Sequence, residues 1–240
     1  ASVVSQSYER WELLICDDGS SDSSSEIAVK WSVRDERIIA LKNCKNKGAA
    51  GARNTCLNVA RGRYIAFLDS DDFWHQSKLE KQIAYMKSSG CIFSYSYYDV
   101  IDESGMFLHT IKTPREVTLN HLSVSNFIPC LTVIYDSFLL GKVEQPYIKK
   151  RNDFALWLKI FHQSGFTNAS CIPESLASYR QNSYGLSSGK KDALKYFTLC
   201  LIRYGKHSRL SSLFFSGLYL VVVLLRKKFP TFYNWVVIKL

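Results

Sequence analysis

The segment GRYIAFLDSDDFW (residues 62–74) places three carboxylates directly after a continuous apolar run. Such a run suits a strand that is buried on both faces of a sheet. Asp69, Asp71 and Asp72 repel one another at neutral pH, so the folded chain needs a reason to hold them together. A divalent cation would supply that reason, and Mg²⁺ or Mn²⁺ prefers carboxylate oxygens. The segment therefore predicts a buried strand that is followed by a Mn²⁺ or Mg²⁺ site.

A second acidic turn follows an earlier strand candidate. WELLIC (11–16) has the composition of a strand and runs into the turn DDGSSD, which begins with Asp17 and Asp18. Ligands of open α/β sheets bind at the carboxyl ends of the strands, so both acidic turns should face one crevice. Carboxylates and a cation in one crevice predict a site for a nucleoside diphosphate group. Asp-Asp-Gly-Ser is also a common turn sequence, so either cluster alone leaves a structural interpretation open.

The rest of the chain alternates strand and helix patterns. Further strands are predicted at 37–42 and 63–68, and Ser-x-x-Glu capping boxes predict helices that begin near Ser23 and Ser77. Two apolar segments flank the turn DESG and predict antiparallel strands, while residues 153–164 predict an amphipathic helix. These patterns predict an α/β fold with a mixed, mostly parallel central sheet flanked by helices, and with further helices at the C-terminus.

Composition limits the class of protein and its compartment. The 240 residues are 47% hydrophobic, which predicts one sizeable globular domain. Seven cysteines without a C-x-x-C pair disfavour a disulfide framework and a structural zinc site, and favour a reducing compartment, the cytoplasm. The net charge of +10 is concentrated after residue 180, where ten Lys and Arg residues accompany one Asp. This distribution argues against nucleic acid as a partner.

The basic tail contains an apolar run, LSSLFFSGLYLVVVLL (210–225), that is followed by RKK. The run is shorter than the roughly 20 residues that span a bilayer. We therefore expect residues 206–240 to make peripheral membrane contact on the inner face of the cell membrane. A helix buried in the core is the alternative that the sequence leaves open. The start of the chain shows no signal-peptide pattern.

Six ordered segments resemble family 2 glycosyltransferases, which have the GT-A fold with a Rossmann-like nucleotide-binding half. The segments are ELLICDDGSSD (12–22), NKGAAGARN (46–54), GRYIAFLDSDDFW (62–74), KLEKQI (78–83), RNDFALWL (151–158) and LASYRQNSYGLSSGK (176–190). The resemblance implies an inverting, metal-dependent transfer of a sugar from a nucleotide-sugar donor, expected to be a UDP-sugar. The implied acceptor is a hydroxyl of a saccharide or a lipid-linked oligosaccharide, in surface polysaccharide biosynthesis.

The resemblance also implies roles for residues of the donor side. Asp18, with Asp17 beside it, is similar to the acidic site that contacts the nucleoside. Arg53 is similar to the residue that reaches the base or the phosphates, Gly48 permits a close backbone turn, and Lys47 is a candidate phosphate contact. A solvated lysine is the alternative for Lys47.

The remaining implied roles concern the metal and the reacting groups. Asp69-Ser70-Asp71 is similar to the family's DXD element, with Asp71 as direct metal ligand and Asp69 on the ribose or on metal-bound water. Tyr179 and Arg180 stand where an aromatic and basic pair contacts the diphosphate or the acceptor.

Asp153, in RNDFALWL, resembles the general base that removes the proton from the acceptor hydroxyl. An N-cap carboxylate is its structural alternative. The family usually has an acidic residue immediately before this Asp, where this chain has Asn152.

By the same resemblance the chain divides into three parts. Residues 1–100 form the nucleotide-sugar-binding half, 101–190 the acceptor-binding half, and 191–240 a basic, apolar helical tail. The family's first strand has no counterpart after Ala1, so the nucleotide-binding half is expected to lack it.

Three other interpretations account for part of the pattern. A sugar nucleotidyltransferase shares a similar sheet, and its Gly-rich loop would precede Ala1. A haloacid-dehalogenase-type phosphatase also has Asp-x-Asp after a strand, but it leaves the DDGSSD turn unexplained. The third is a truncated, non-catalytic homologue that docks on membranes through its tail.

Overall fold

A computed structural model describes residues 1–43, 48–163, 166–181 and 190–229, together with residues 232, 233 and 236. The strands are β1 (Leu13–Asp17), β2 (Ile38–Lys42), β3 (Tyr64–Ala66), β4 (Phe73–Trp74), β5 (Phe93–Ile101), β6 (Phe107–Ile111), β7 (Glu116–Thr118), β8 (Ile134–Asp136) and β9 (Asn168–Arg180). The helices are α1 (Ser24–Arg34), α2 (Ala49–Val59), α3 (Lys78–Ser89), α4 (Leu119–Val124), α5 (Ser137–Leu140), α6 (Asn152–Gln163), α7 (Lys190–Arg203) and α8 (Arg209–Lys228).

The strands form a mixed arrangement that confirms the predicted α/β class. The larger sheet has the order β3-β8-β5-β9-β4, with β6 paired to β5 and β7 paired to β9. Among the described strands only β1–β2 and β5–β9 pair in parallel, so the expectation of a mostly parallel sheet is wrong. The physical reason is that much of the second half returns through short connections, as in the β5–β6 hairpin around DESG, which only antiparallel strands permit.

Strands β1 and β2 form a separate two-stranded sheet, and an opening lies between β1 and β3 of the larger sheet. Each of these strands has one neighbour among the described residues, and both line the same cavity, which has a volume of about 1810 Å³. Glu12 bridges the opening at one end, where its Oε1 accepts hydrogen bonds from the N–H groups of Arg61 (2.6 Å) and Gly62 (2.7 Å).

The core lies beneath the larger sheet, and α6 is its central helix. Phe154, Trp157 and Leu158 are fully buried, as the helical spacing predicts. The Trp157 ring meets Phe93 of β5 edge-on at 5.2 Å, and its Nε1 donates to the carbonyl of Ile128 (3.1 Å). This packing fixes the helix that carries Asp153.

The two predicted capping boxes do not form. Ser23 and Ser77 precede α1 and α3, but neither side chain accepts a hydrogen bond from its helix. Both residues have ψ near zero (8° and 4°) instead of the extended conformation of a capping residue, so their hydroxyls do not reach the first turn.

Helix α8 is not a core helix, so the alternative of a buried tail is wrong. The helix is 20 residues long, and 11% of its most apolar window is buried. Ser212 and Ser216 face the protein, whereas Leu210, Leu213 and Leu224 are exposed. Its length and apolar composition are sufficient for a helix that crosses a membrane. Some core helices of soluble proteins and some signal sequences have the same length and composition.

Candidate active site

The turn after β1 brings Asp17 and Asp18 into different surroundings. Asp17 accepts hydrogen bonds from the N–H groups of Gly19 and Ser20, both at 3.2 Å, and so closes the turn. Hydrogen bonds from Ser20 lower the pKa of Asp17. Asp18 instead accepts from the side chain of Asn43 (2.7 Å) and from the N–H of Gly48. These bonds hold the start of α2 beside the end of β1.

Gly48 is the residue at which the backbone needs glycine. Its φ is +100°, a conformation that L side chains rarely adopt. The conformation directs the Gly48 N–H at the Asp18 carboxylate. Lys47 lies outside the described residues, so its predicted phosphate contact stays a prediction.

Arg53 of α2 joins the donor side to the DXD turn. It forms an ion pair with Asp69 and donates to Oε1 of Gln145 at 3.3 Å. Gln145 is buried and exchanges hydrogen bonds with Asn54. Sequence reasoning missed Gln145, because it belongs to no motif and meets Arg53 only through the fold.

Arg180 forms hydrogen bonds to the turn DSDD (69–72) instead of pointing away from the protein. Its N–H donates to Oδ1 of Asp72 (3.0 Å), and its guanidinium donates to the carbonyls of Asp71 (3.2 Å), Asp102 (3.2 Å) and Glu103. Several donors of the side chain that was predicted to contact the diphosphate are therefore bound to the main chain. Burial raises the pKa of Asp72 to about 7, and the charges of Asp71 and Asp69 act in the same direction.

Asp69 and Asp71 are the exposed carboxylates of this turn, and both line the cavity. Among the residues that the structure describes, no group of three His, Cys, Asp or Glu side chains is arranged to hold a metal ion. Mg²⁺ commonly uses one or two carboxylates, keeps several waters and shares the phosphates of a substrate. Two carboxylates beside open space fit that mode of binding. They are too few to enclose a metal ion with protein ligands alone.

Asp153 lies in the first turn of α6 and is not its cap, since the helix begins at Asn152. Its Oδ2 accepts a hydrogen bond from Nδ2 of Asn126 (3.0 Å). Burial raises the pKa of Asp153, although the N–H of Phe154 and the charge of Arg53 oppose the shift. A carboxylate with a raised pKa is a stronger base, which suits the removal of a proton from a hydroxyl.

Two neighbours of Asp153 are not among the site residues that the sequence predicts. Asn126 orients the carboxylate, and its own Oδ1 accepts from the N–H of Ile128 (3.2 Å). Arg151 precedes α6 with φ at 62°, a left-handed conformation that is uncommon for a residue other than glycine. Strained backbone of this kind concentrates at functional sites.

The cavity brings half of the ten predicted site residues together. Its lining includes Arg53, Asp69, Asp71, Asp153 and Tyr179. Two rings meet at its edge, where Tyr179 and Tyr98 pack edge-on at 6.5 Å. The lining does not include Asp17, Asp18, Gly48 or Arg180.

Comparison with known sequences gives a consistent family. A family model described as Glycosyl transferase family 2 matches residues 1–169. The putative teichuronic acid biosynthesis glycosyltransferase TuaG of Bacillus subtilis is 40% identical over 195 residues, which cover 81% of this chain and 77% of TuaG. The UDP-Glc:alpha-D-GlcNAc-diphosphoundecaprenol beta-1,3-glucosyltransferase WfgD of Escherichia coli is also 40% identical over 195 residues, 81% of this chain and 75% of WfgD.

Solved structures with the same fold have low sequence identity. TarS 1-349 of S. aureus, in complex with UDP-GlcNAc, has a TM-score of 0.66 and 17% identity, covering 91% of this chain and 66% of that one. The mannosyltransferase PcManGT of Pyrobaculum calidifontis, in complex with GDP-Man and Mn²⁺, has a TM-score of 0.64 and 14% identity, covering 95% and 70%. These similarities show the fold, the GT-A fold that the sequence motifs predict.

Proposed function

The chain belongs to glycosyl transferase family 2 and is a glycosyltransferase, and from this we propose that it transfers a sugar, with inversion, from a UDP-sugar to a lipid-linked saccharide in surface polysaccharide biosynthesis. The observation that carries the proposal is the single cavity that contains Asp69, Asp71 and Asp153. The names of TuaG and WfgD support the choice of pathway and of acceptor class.

The donor's nucleotide is proposed to lie along the carboxyl ends of β1 and β3. Asp18 and the N–H of Gly48 meet there, and Arg53 reaches from α2 towards the Asp69 turn. A carboxylate can accept hydrogen bonds from ribose hydroxyls, and an arginine can donate to phosphate oxygens. Arg180 supports this site indirectly, because it fixes the shape of the turn that carries Asp71.

The metal ion is proposed to be Mn²⁺ or Mg²⁺, held by Asp71 with Asp69 beside it. When bound, such an ion neutralises charge on the diphosphate leaving group. Arg53 already engages Asp69, so Asp69 is better placed to order the donor side than to serve as a second full ligand.

The base is proposed to be Asp153. A partly buried carboxylate, oriented by Asn126, can accept the proton of an acceptor hydroxyl as the new glycosidic bond forms. The hydroxyl attacks the anomeric carbon, the bond to the diphosphate breaks, and the nucleoside diphosphate leaves with the electron pair. A single displacement of this kind inverts the anomeric configuration and needs no covalent enzyme intermediate.

A direct assay tests this proposal. We expect the full chain with Mn²⁺ to transfer sugar from a UDP-sugar in a panel of nucleotide sugars to GlcNAc-α-diphosphate that carries an undecyl chain. Product would be detected by mass spectrometry, with a metal-free reaction containing chelator as the control. A sugar nucleotidyltransferase would instead form nucleotide sugar from a sugar phosphate and UTP, and a non-catalytic homologue would give neither product.

We also propose that α8 lies in the interface of an anionic membrane. Its exposed apolar residues recur along one face, and Arg209, Arg226, Lys227 and Lys228 stand at its two ends. This combination is typical of interfacial helices, whose cations meet anionic lipid while the apolar face enters the headgroup region. A cytoplasmic protein would thereby reach acceptors that are embedded in the inner face of the membrane.

The membrane contact can be tested with matched leucine substitutions. We expect Leu213→Ser combined with Leu220→Ser to weaken partitioning into phosphatidylglycerol vesicles by at least about tenfold. The reason is that burying a leucine side chain in an apolar environment contributes roughly 1.5–3 kcal/mol of transfer free energy, which each substitution removes. The control combines Leu108→Ser with Leu139→Ser, two exposed leucines outside α8. Vesicle sedimentation measures both, and equal partitioning of the two double variants would contradict the proposal.

A further inference from the structure

Arg151 stands two residues before the proposed base and lines the same cavity. Its carbonyl accepts the hydrogen bond from the N–H of Ala155 (3.0 Å) that opens helix α6, and its φ of 62° lies in the left-handed region. The conformation of Arg151 therefore sets the direction in which α6 begins, and Asp153 lies in the first turn of that helix. A residue other than glycine adopts this conformation at a cost in free energy, so the surrounding contacts must hold it there.

The side chain of Arg151 makes such contacts with the two helices α7 and α8. Its Nε donates to the carbonyl of Ala193 in α7 (3.0 Å), and its Nη2 donates to the hydroxyl of Tyr219 in α8. The guanidinium carbon also lies 5.6 Å from the centre of the Phe197 ring and 5.0 Å from that of Tyr219. Two of the three guanidinium nitrogens are thus bound to protein acceptors, which suits this arginine to holding the backbone better than to binding a substrate anion.

A stack of three aromatic rings joins the same helices to the residue that follows Asp153. Phe154 of α6 stacks on Phe197 at 5.1 Å with 5° between the rings, and Phe197 stacks on Tyr219 at 4.4 Å with 18°. Phe154 and Phe197 are fully buried, so the stack is part of the core. Asp153 therefore lies between two residues, Arg151 and Phe154, that the same pair of rings holds in place.

Helix α8 is fixed on α7 beside this stack. The hydroxyls of Ser216 and Thr198 share a hydrogen bond (2.6 Å), and Ser212 and Ser216 are buried. Ser212, Ser216 and Tyr219 are spaced by four and three positions, the spacing of one helical face. The face of α8 that packs on the protein therefore carries the hydroxyl that binds Arg151.

We propose that Arg151, held by Tyr219 of α8, is a positioning residue that directs the Asp153 carboxylate at the acceptor hydroxyl. The inference rests on the proposed role of Asp153 as the base. Asn126 holds one oxygen of the carboxylate, whereas Arg151 fixes the backbone from which the side chain departs. A misplacement of about 1 Å in a reacting group can cost about a hundredfold in rate. Loosening of Arg151 therefore lowers kcat and leaves donor binding unchanged.

A double-mutant cycle on the full chain tests the proposal. Tyr219→Phe removes the hydroxyl and keeps the ring, and we expect it to lower kcat about tenfold. Arg151→Met should lower kcat about a hundredfold. Adding Tyr219→Phe to Arg151→Met should cost less than about a further twofold, because the hydroxyl then has no guanidinium to hold.

The matched control is Tyr204→Phe, which removes a hydroxyl from a partly buried tyrosine directly after α7 and outside the cavity lining. Its kcat should stay within about twofold of wild type. The dissociation constant of UDP with Mn²⁺, and KM for the acceptor, should stay within about twofold of wild type in every variant. Wild-type kcat in Tyr219→Phe, additive losses in the double variant, or equal losses of UDP binding and kcat would each overturn the assignment. If Arg151→Met does not fold, Tyr219→Phe against Tyr204→Phe decides.

An NMR measurement observes the base without any sugar transfer. The carboxyl carbon of Asp153 is assigned as the signal that disappears in Asp153→Asn. This signal should move in Tyr219→Phe and stay in place in Tyr204→Phe. If wild type transfers no sugar but the signal moves in Tyr219→Phe, the proposed function fails while the positioning of Asp153 stands. A signal that stays in place in Tyr219→Phe would refute the positioning role.

Discussion

Replacing Asp153 by Asn should reduce the rate constant of sugar transfer by about a thousandfold, because general base catalysis contributes between about a hundredfold and ten-thousandfold. Asparagine keeps the size of the side chain and can still hydrogen bond with Asn126, but it cannot take a proton. The change should therefore leave UDP binding nearly intact. Transfer rates and UDP titrations on the same preparation measure the two effects.

The matched control for this variant is Glu26→Gln, which neutralises an exposed carboxylate in the first turn of α1. It should transfer sugar at the wild-type rate. Full activity in Asp153→Asn would remove Asp153 from the mechanism. An equal loss of UDP binding and transfer would show that the variant damages the site as a whole.

The pH dependence of the reaction gives a second view of Asp153. Burial raises its pKa above the ordinary value of about 4, and the base must be unprotonated to act. Activity should therefore rise with pH through this raised pKa, with an acid limb displaced upward from pH 4. The residual activity of Asp153→Asn should lack that limb.

Replacing Asp71 by Asn should remove metal-dependent nucleotide binding. The carboxylate is exposed on the DSDD turn, and an amide oxygen is a weaker ligand for Mn²⁺ or Mg²⁺ than a carboxylate. We expect the affinity for UDP with Mn²⁺ to fall by at least about tenfold, since loss of one charged contact costs about 1.5–3 kcal/mol. The variant should stay folded, because the bond from Arg180 goes to the main-chain carbonyl of Asp71.

Calorimetry with and without Mn²⁺ separates the metal effect from a general loss of affinity. Without metal, wild type and Asp71→Asn should bind UDP equally weakly. Glu36→Gln, an exposed carboxylate outside the cavity lining, should behave as wild type under both conditions. Unchanged metal-dependent affinity in Asp71→Asn would refute the metal assignment.

Local sequence patterns predicted much of the fold, because the spacing of apolar residues reflects which face of a single helix or strand is buried. The apolar run at 63–68 lies around β3, and the helical spacing at 153–164 became α6 with its buried face. The same patterns could not predict that the strands pair mainly antiparallel, because pairing depends on which distant segments meet.

The candidate site was predictable only where its residues belong to motifs. Asp69, Asp71 and Asp153 follow from such segments, and the cavity unites them. Asn126 meets Asp153 across 27 positions of the chain, and Gln145 meets Arg53 across 92. The periodicity of one helix or strand carries no information about contacts between residues so far apart in the sequence. Such contacts are visible only in the folded chain.

The carboxylate of Glu12 also makes the fold sensitive to acid. Burial opposes ionisation of Glu12, but the hydrogen bonds from the N–H groups of Arg61 and Gly62 outweigh it and lower the pKa of Glu12. A carboxylate whose pKa is lowered in the folded chain stabilises the fold above its ordinary pKa of about 4, and this contribution is lost as the pH falls through the lowered pKa. Acid should therefore weaken the link between β1 and the segment that precedes β3.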